Sequence, residues 1–337
     1  MIKIGIIQGD TNGIASELIL KTFEDARILE SCTPVVYGSS KVLSYYRKML
    51  EIPSVSLNNQ AIVNVIDDEI SIELGKPTAE SSKVPEAALT RAIEDLKKGV
   101  IDVLVTTPTT KDPLLQIESE IAHPKKGLKI AVCDNFRVAL ATDKTSFTEL
   151  ASVLTTEMLI EKIKTLQFSL IHDFLLSSPR IAVLSLNPQA GVRETLGKEE
   201  EEIILPAVKA ASNSGVFCFG PYSADHFFGS GEYLKFDAAL AMYFDQGMVA
   251  FQSITSGEGA VYTANLPYIV TTGHESISFE EVGKNTISPD SFRSALYLAI
   301  DLHRNQITDK EIHKNPLKKQ FFERGSDNEK LDLTKEE

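Results

Sequence analysis

Cysteine is scarce in this chain, and long apolar runs are absent. The 337 residues include only three cysteines, Cys32, Cys133 and Cys218, which lie far apart and form no C-x-x-C pair. This spacing is not typical of a zinc site or a redox couple, so we expect three reduced thiols in the interior. No apolar run could span a bilayer, and the first one turns polar at Gln8 to Asp10, too early for a signal peptide. We therefore expect a cytoplasmic protein that does not contact membranes.

Positive charge is also in short supply. Lysine and arginine total 34 against 47 aspartates and glutamates, which gives a formal net charge of -13. A surface of this sign repels phosphate backbones, so we do not expect a nucleic-acid partner. The hydrophobic fraction of 43% and the charged fraction of 24% are ordinary for a globular protein and exclude a disordered chain. The length predicts about two domains or one large α/β unit.

The common nucleotide-binding and hydrolase motifs are missing: the chain has no G-x-G-x-x-G, no P-loop and no G-x-S-x-G. It contains instead an alternation of short apolar strands and amphipathic helices, beginning with a strand at Ile2 to Ile7. Continuously apolar strands between helices predict a mostly parallel sheet covered on both faces. Asp134 and Asn135 favour a tight turn between two strands. Helices are predicted over Thr155 to Phe174 and Ser288 to His303, and the charged stretch from Gln306 on predicts a packed final turn or a frayed tail.

Polar residues follow several predicted strands, which is where ligands bind in open α/β sheets. The loop from Gly9 to Gly13 either binds a ligand or is only a turn. Lys111 either holds a phosphate or carboxylate or is a solvated loop lysine. We interpret the acidic run Glu199 to Glu202 as structural, because it suits the start of a helix. The six histidines show no metal-ligand spacing, and each of them, including His172 and His313, is interpreted as a surface or capping residue.

Five motifs occur in one order along the chain and together resemble a single family. They are Gly9-Asp10-x-Asn12-Gly13-Ile14-x-x-Glu17, Thr107-Pro108-x-x-Lys111, Leu186-Asn187-Pro188-x-Ala190-Gly191, Gly220-Pro221-x-x-Ala224-Asp225, and Phe236-Asp237-Ala238-x-Leu240-Ala241-Met242-Tyr243-x-Asp245-Gln246-Gly247. This set resembles the 4-hydroxythreonine-4-phosphate dehydrogenase family of vitamin B6 synthesis. The resemblance runs from Ile2 to about His303.

The resemblance implies an α/β protein with a two-domain fold like that of isocitrate and isopropylmalate dehydrogenases. The first domain would comprise about residues 1–135 and 270–337, and the second, residues 136–269, would carry the dimer contacts and the metal site. The family works as a homodimer with its active site in a cleft between domains, near the dimer interface. It oxidises 4-phosphohydroxy-L-threonine with NAD or NADP, and the product then loses carbon dioxide. A divalent metal held by three histidines polarises the substrate.

The chain departs from the family at the positions that the resemblance assigns to metal, substrate and cofactor. The three metal histidines correspond here to Lys144, Gln189 and Phe244, the substrate lysine, asparagine and arginine to Gln252, Val261 and Val270, and the cofactor loop begins at His274 and Glu275. An ammonium and a phenyl ring offer no lone pair to a cation. We therefore expect that no divalent metal binds at these positions. A further family segment between Lys111 and Leu128 is reduced here to His123 to Gly127.

These departures predict that the family reaction is absent or very weak. Three alternatives stay open: a non-catalytic relative that binds a small molecule, an enzyme with altered, metal-free chemistry, and a regulatory partner of an intact relative. The cleft residues available to any of them are Lys111, Asp225, Asp245 and Gln246. Lys144 is either a base or anion site in the altered chemistry or an ordinary solvated lysine.

Overall fold

The computed structural model describes residues 1–52, 57, 61–66, 70–111, 113–121, 127–191, 196–275 and 277–314. The strands are β1 (Ile2–Ile7), β2 (Cys32–Gly38), β3 (Ile62–Asn64), β4 (Val103–Thr106), β5 (Leu128–Cys133), β6 (Phe136–Leu140), β7 (Ile181–Leu184), β8 (Cys218–Tyr222), β9 (Ala238–Ala241), β10 (Ala260–Ala264) and β11 (Val270–Gly273). The helices are α1 (Ala15–Thr22), α2 (Ser40–Met49), α3 (Lys83–Lys97), α4 (Pro113–Ile121), α5 (Phe147–Val153), α6 (Thr156–His172), α7 (Leu205–Asn213), α8 (Ala224–Gly229), α9 (Phe244–Thr255) and α10 (Asp290–Lys314).

The eleven strands form one sheet in the order β3-β2-β1-β4-β11-β10-β5-β6-β9-β7-β8. Seven of the ten strand pairings are parallel, and the three antiparallel ones join β11 to β10, β10 to β5 and β5 to β6. Three reversals mean that β6, β9, β7 and β8 run opposite to β1, β4 and β11. The carboxyl ends of these two groups of strands consequently lie at opposite edges of the sheet. We call them the β6-β9-β7 edge and the β1-β4-β11 edge.

Helices cover both faces of the sheet. Ile6 and Ile7 are both fully buried, although successive side chains of a strand point to opposite faces. Ile6 belongs to a large apolar cluster with residues of α1, α6 and α10, whereas Ile7 packs with residues of α3 such as Leu89 and Leu96. Continuously apolar strands such as Ile181–Leu184 are buried over their whole length, as expected for a sheet with two covered faces. The prediction of a mostly parallel α/β sheet is confirmed.

Two local predictions are confirmed as well. Asp134 adopts a left-handed backbone (φ 49°) in the turn between β5 and β6, a conformation that aspartate tolerates better than most residues. Helix α6 begins where its sequence predicts it, because the Thr155 hydroxyl accepts a hydrogen bond from the Met158 amide at 3.2 Å.

The prediction of a final turn or a frayed tail from Gln306 on is wrong for residues 306–314, because α10 continues to Lys314. Gln306 donates to the Asp173 carboxylate at 2.8 Å and so attaches this part of α10 to the end of α6. Within the described residues, no helix is long and apolar enough to cross a membrane. The proposed domain limits fall in the turn between β5 and β6 and between β10 and β11, and that division stays a prediction. Residues 122–126 and 315–337, which include most of the shortened family segment, lie outside the described residues.

Candidate functional site

The three positions that the resemblance assigns to the metal lie just beyond the carboxyl ends of adjacent parallel strands. Leu140 of β6 pairs with Ala241 of β9, and β9 pairs in turn with β7. The Thr142 hydroxyl donates to the Met242 carbonyl at 2.7 Å and holds the ends of β6 and β9 together. From these ends the chain continues to Lys144 after β6, to Phe244 after β9 and to Gln189 after β7. The structure thus places all three residues on the β6-β9-β7 edge.

Gln246 uses both ends of its side-chain amide to hold this edge together. Its Oε1 accepts a hydrogen bond from the Met242 amide and its Nε2 donates to the Ser185 carbonyl, both at 2.7 Å. Met242 and Ser185 are buried after β9 and β7, so the contact bridges two strand ends. Asp245, its neighbour, is exposed in the first turn of α9. The structure therefore gives Gln246 a positioning role and leaves Asp245 facing solvent.

The loop that carries Gln189 is held by two glutamates. One carboxylate oxygen of Glu200 accepts from the Leu186 and Asn187 amides at 2.9 and 2.8 Å. The Asn187 side chain donates to Glu199 at 2.7 Å and to Glu200 at 3.0 Å. Hydrogen bonds from its own amide and from Asn187 hold the pKa of Glu199 below its ordinary value. The structural interpretation is confirmed for Glu199 and Glu200, because both carboxylates accept hydrogen bonds from the preceding loop.

The loop turns sharply at Gln189 and Ala190, which both adopt left-handed backbone conformations with φ of 54° and 53°. Gln189 is exposed there. Asp225, which follows β8, is exposed on the same edge, and a hydrogen bond from the Ser223 hydroxyl lowers the pKa of its carboxyl. Asp225, Asp245 and Gln246 therefore share this edge.

The side chains at the three positions that the resemblance assigns to the metal offer few donor atoms to a divalent cation. Lys144 is exposed, and Phe244 is a half-buried side chain packed against the apolar cluster of Phe251 and Met248. Neither offers a lone pair, so among these three side chains only that of Gln189 carries a donor oxygen. The nearby Asp143 carboxylate forms an ion pair with Lys129 at 2.5 Å. A catalytic zinc ion is typically held by three protein ligands.

Lys111 lies at the opposite, β1-β4-β11 edge, since it follows β4. Its ammonium forms an ion pair with Glu86. Both side chains line an open cavity of about 1030 Å³, together with Thr110 and with residues of α3 such as Arg91. Within one chain, Lys111 therefore lies at one end of the strands, and the other three predicted cleft residues lie at the opposite end.

A smaller pocket of about 380 Å³ brings together residues that the resemblance assigns to substrate and cofactor. Gln252, at the far end of α9, lines it with His274 and Glu275, which follow β11. Glu280 and Glu281 add two more carboxylates to its wall. We call this the acidic pocket. Because Glu280 and Glu281 are exposed, their negative charge disfavours an anionic ligand in this pocket.

The Glu275 carboxylate is folded inward at the start of α10. Both of its oxygens are inaccessible to solvent, and a methyl group built on Gly273 would come within 1.8 Å of one of them. Burial raises the pKa of Glu275, and the neighbouring His274, the Phe292 amide and the Ser291 hydroxyl oppose this only in part. Ser291 accepts from the His274 amide and donates to the Gly259 carbonyl, each at 2.9 Å, and so fixes the loop. Nothing in the sequence indicates that this carboxylate is buried.

The other two positions that the resemblance assigns to the substrate are apolar parts of the sheet. Val270 is buried in β11, opposite Leu104 of β4. Val261 is half-buried in β10 and pairs with Thr272. Their side chains contribute packing to the sheet.

The loop from Gly9 to Gly13 is held by hydrogen bonds within the loop and to neighbouring segments. Asp10 and Asn12 are fully buried, and the Asp10 carboxylate accepts from the Asn12 amide at 2.9 Å and from the Ser81 hydroxyl at 3.1 Å. The Asn12 side chain donates to the Lys76 carbonyl at 2.9 Å. These contacts favour the turn interpretation over a ligand loop.

The family described as "Pyridoxal phosphate biosynthetic protein PdxA" matches residues 30–299 of the chain. The chain belongs to this family. A 4-hydroxythreonine-4-phosphate dehydrogenase of Bacteroides thetaiotaomicron is 43% identical over 353 residues, which cover 98% of this chain and 97% of that protein. An enzyme of the same name from a Sulfurihydrogenibium species is 30% identical over 90% of this chain and 99% of its own length.

Solved structures of the family share the fold. The structure of 4-hydroxythreonine-4-phosphate dehydrogenase from Klebsiella pneumoniae superposes with a TM-score of 0.72 at 24% identity, covering 90% of this chain and 98% of the other. The structure from Burkholderia phymatum gives a TM-score of 0.68 at 25% identity, covering 90% and 98%. Membership of the family is therefore supported by sequence along nearly the whole chain and by the fold.

Proposed function

We propose that this member of the family performs the oxidation of 4-phosphohydroxy-L-threonine very slowly or not at all, and that its scaffold binds a small molecule without a metal. The observation that carries the proposal is the donor set at the β6-β9-β7 edge. The expected ligand positions there hold an ammonium and a phenyl ring, and neither can coordinate a cation. Loss of a catalytic metal removes several kcal/mol of transition-state stabilisation, which is enough to silence the reaction.

The acidic pocket supports the second half of the proposal. Family membership implies a nicotinamide cofactor, NAD or NADP, and a phosphorylated substrate, both of them anionic. Gln252 stands at the position of the substrate lysine and so supplies no positive charge, while Glu275 places a carboxylate at the start of α10. A helix N-terminus otherwise favours a phosphate. We infer that neither cofactor binds tightly and that the ligand is neutral or cationic.

The two edges of the sheet support a homodimer. Gln252, His274 and Glu275 lie at one edge, and Lys144, Gln189 and Phe244 lie at the other. A cleft that uses both sets therefore requires a second chain. Light scattering of the purified protein should give twice the mass of one chain, whereas a monomer at micromolar concentration would contradict this arrangement. A mixed dimer with an intact relative would instead appear as co-purification of two different chains.

Turnover tests the first half of the proposal. Purified protein is incubated with 4-phosphohydroxy-L-threonine, either nicotinamide cofactor and added zinc, magnesium or cobalt, while reduced cofactor is followed by absorbance. We expect no rate above that without protein. Turnover at the ordinary enzymatic scale of about 1 per second or faster would overturn the proposal.

A restoration variant tests the physical reason. Lys144→His, Gln189→His and Phe244→His are combined, and zinc binding is compared with that of the parent protein. Both proteins also carry His313→Ala, so that His172 of α6 and His313 of α10, whose ring centroids lie 5.7 Å apart, do not compete for the ion. We expect zinc binding only in the triple variant. Equal zinc binding by both proteins, or by neither, would show that these three substitutions are not what removes the site.

Thermal shift tests the ligand class. The melting temperature is measured with neutral or cationic amino acids and amines, and separately with inorganic phosphate and NAD. We expect stabilisation in the first set only. Stabilisation by NAD or phosphate alone would contradict the inferred ligand class.

A further inference from the structure

Two histidines and an aspartate meet where the end of α6 packs against the outer half of α10. His172 is the last residue of α6, and its Nδ1 lies 3.0 Å from an oxygen of Asp309. His313 Nδ1 lies 3.2 Å from the other oxygen of the same carboxylate. One ligand atom from each residue can be chosen so that all three lie within 4.8 Å of one another. Among the residues that the structure describes, no other group of three metal-ligating side chains is this close.

The spacing on α10 explains half of this geometry. Asp309 and His313 are four residues apart, and residues at i and i+4 lie on the same face of a helix. His172 arrives from a different helix, far away in sequence, and for this reason pattern alone does not reveal the group. His172 and Asp309 are half-buried, while His313 is exposed. The cluster is therefore accessible to an ion from one side.

The two helices are held together next to the cluster. Asn305 and Gln306 of α10 donate to the carbonyl and the carboxylate of Asp173, both at 2.8 Å. The second carboxylate oxygen of Asp173 accepts from Tyr262 at 2.9 Å and from Ser169 at 2.7 Å. His172 directly precedes this fully engaged aspartate, so its backbone position is fixed relative to α10. A site whose ligands are already in place loses little entropy on binding.

We propose that His172, Asp309 and His313 bind a divalent transition-metal ion, with zinc the best fit. Two imidazoles and one carboxylate form a common three-residue zinc set, in which water or another ligand completes the coordination. Imidazole ligands favour zinc, copper and nickel over magnesium and calcium. The ion would take the place of the present contacts between the histidines and the carboxylate, and it would link α6 to α10. The Phe168 ring, 4.2 Å from that of His172 between centroids, covers one side of the site.

This site is separate from the metal positions that the family resemblance assigns. The family match ends at residue 299, so Asp309 and His313 lie outside it. The family positions, in contrast, follow β6, β7 and β9. The proposal therefore does not depend on the proposed function, and either can fail alone.

Zinc titration of the full-length protein tests the site. The protein is freed of metal with a chelator, dialysed and titrated with zinc chloride alone, with free zinc followed by a competing indicator. We expect one zinc ion per chain. His313→Ala and Asp309→Asn should each weaken binding by roughly tenfold or more, since even residues outside the ligand sphere have effects of this size. His303→Ala, on the same helix but outside the cluster, is the matched control and should leave binding unchanged.

A spectroscopic measurement separates coordination from general surface binding. Cobalt bound by nitrogen and oxygen ligands should give visible absorption bands in the parent protein and in His303→Ala, but not in His313→Ala. His313 is exposed, so this variant should fold normally, which circular dichroism checks. Zinc should also raise the melting temperature of the parent protein and not that of His313→Ala. Absence of zinc binding, or equal binding by the parent and the two cluster variants, would overturn the proposal.

Discussion

The Gln246 side chain donates a hydrogen bond to the Ser185 carbonyl at 2.7 Å and so joins the end of β7 to the start of α9. The same amide accepts from Met242. Gln246 stands next to Asp245 in a motif that resembles a catalytic segment, yet its polar atoms are directed at the backbone. Its two hydrogen bonds hold the chain after β9 against the chain after β7, and so fix Phe244 relative to the loop of Gln189.

Gln246→Ala should destabilise the fold. The substitution leaves the buried Met242 amide and Ser185 carbonyl without partners, at a cost of about 1–3 kcal/mol. The measurement is the free energy of unfolding from urea denaturation. Gln252→Ala is the matched control, because that glutamine lies on the same helix and is exposed; it should change the free energy by less than about 0.5 kcal/mol. Equal losses in the two variants would contradict the bridging role.

Lys21→Met should be strongly destabilising. Lys21 forms an ion pair at 2.8 Å with Glu17, whose side chain is fully buried in α1. Removing the lysine leaves a buried carboxylate uncompensated, which costs about 3–5 kcal/mol. The control is Lys98→Met, which breaks a pair of the same spacing with Glu94 on the surface and should cost less than about 1 kcal/mol.

A double variant separates the loss of the charge pair from the loss of packing. Glu17→Gln combined with Lys21→Met removes both charges and should recover part of the stability that Lys21→Met alone loses. If the double variant were less stable than the single one, the uncompensated carboxylate would not be the cause.

Glu275 should make the protein less stable as the pH rises. Burial raises the pKa of this carboxyl above its ordinary value of 4.5, so the folded state binds the proton more tightly than the unfolded state does. Stability attributable to this group is therefore present below pH 4.5 and is lost as the pH rises through the raised pKa. The measurement is the free energy of unfolding across this range for the parent and for Glu275→Gln.

The variant should be the more stable protein at neutral pH, and the difference between the two should shrink as the pH falls. Glu280→Gln, on the same pocket wall but exposed, is the control and should show no such trend. A constant difference between Glu275→Gln and the parent would mean that Glu275 carries no charge penalty in the folded state.

Local features of the fold could be predicted from the sequence, because they depend on neighbouring residues. The turn at Asp134 and the start of α6 at Thr155 are examples. The reversal of strand direction could not be predicted in this way, since it needs three antiparallel pairings, one of which joins β10 to β5, more than a hundred residues earlier. That pairing decides that Lys111 and Asp245 lie at opposite edges. The sequence motifs identify both residues but carry no information about their separation.

The outer half of α10 could not be predicted from the sequence for a related reason. Few apolar residues follow Gln306, and apolar periodicity is the main signal of a helix in a sequence. The helix is held there by polar contacts to Asp173, a residue that no local pattern connects to it. For the candidate site, the positions of Lys144, Gln189 and Phe244 follow from their surrounding motifs. The inward fold of Glu275 depends on Gly273 and Ser291 and could only be seen in three dimensions.

The attachment of Asn305 and Gln306 to Asp173 also bears on how the chain can be shortened or fused. A truncation after residue 304 would remove two hydrogen-bond donors to Asp173 and expose the end of α6. Because Tyr262 of the sheet donates to the same aspartate, the truncation would also weaken the contact between α6 and the sheet. A tag or partner domain joined after Lys314 keeps both of these hydrogen bonds. The outer half of α10 therefore stabilises the packing of α6 on the protein, although its composition is typical of a solvent-exposed tail.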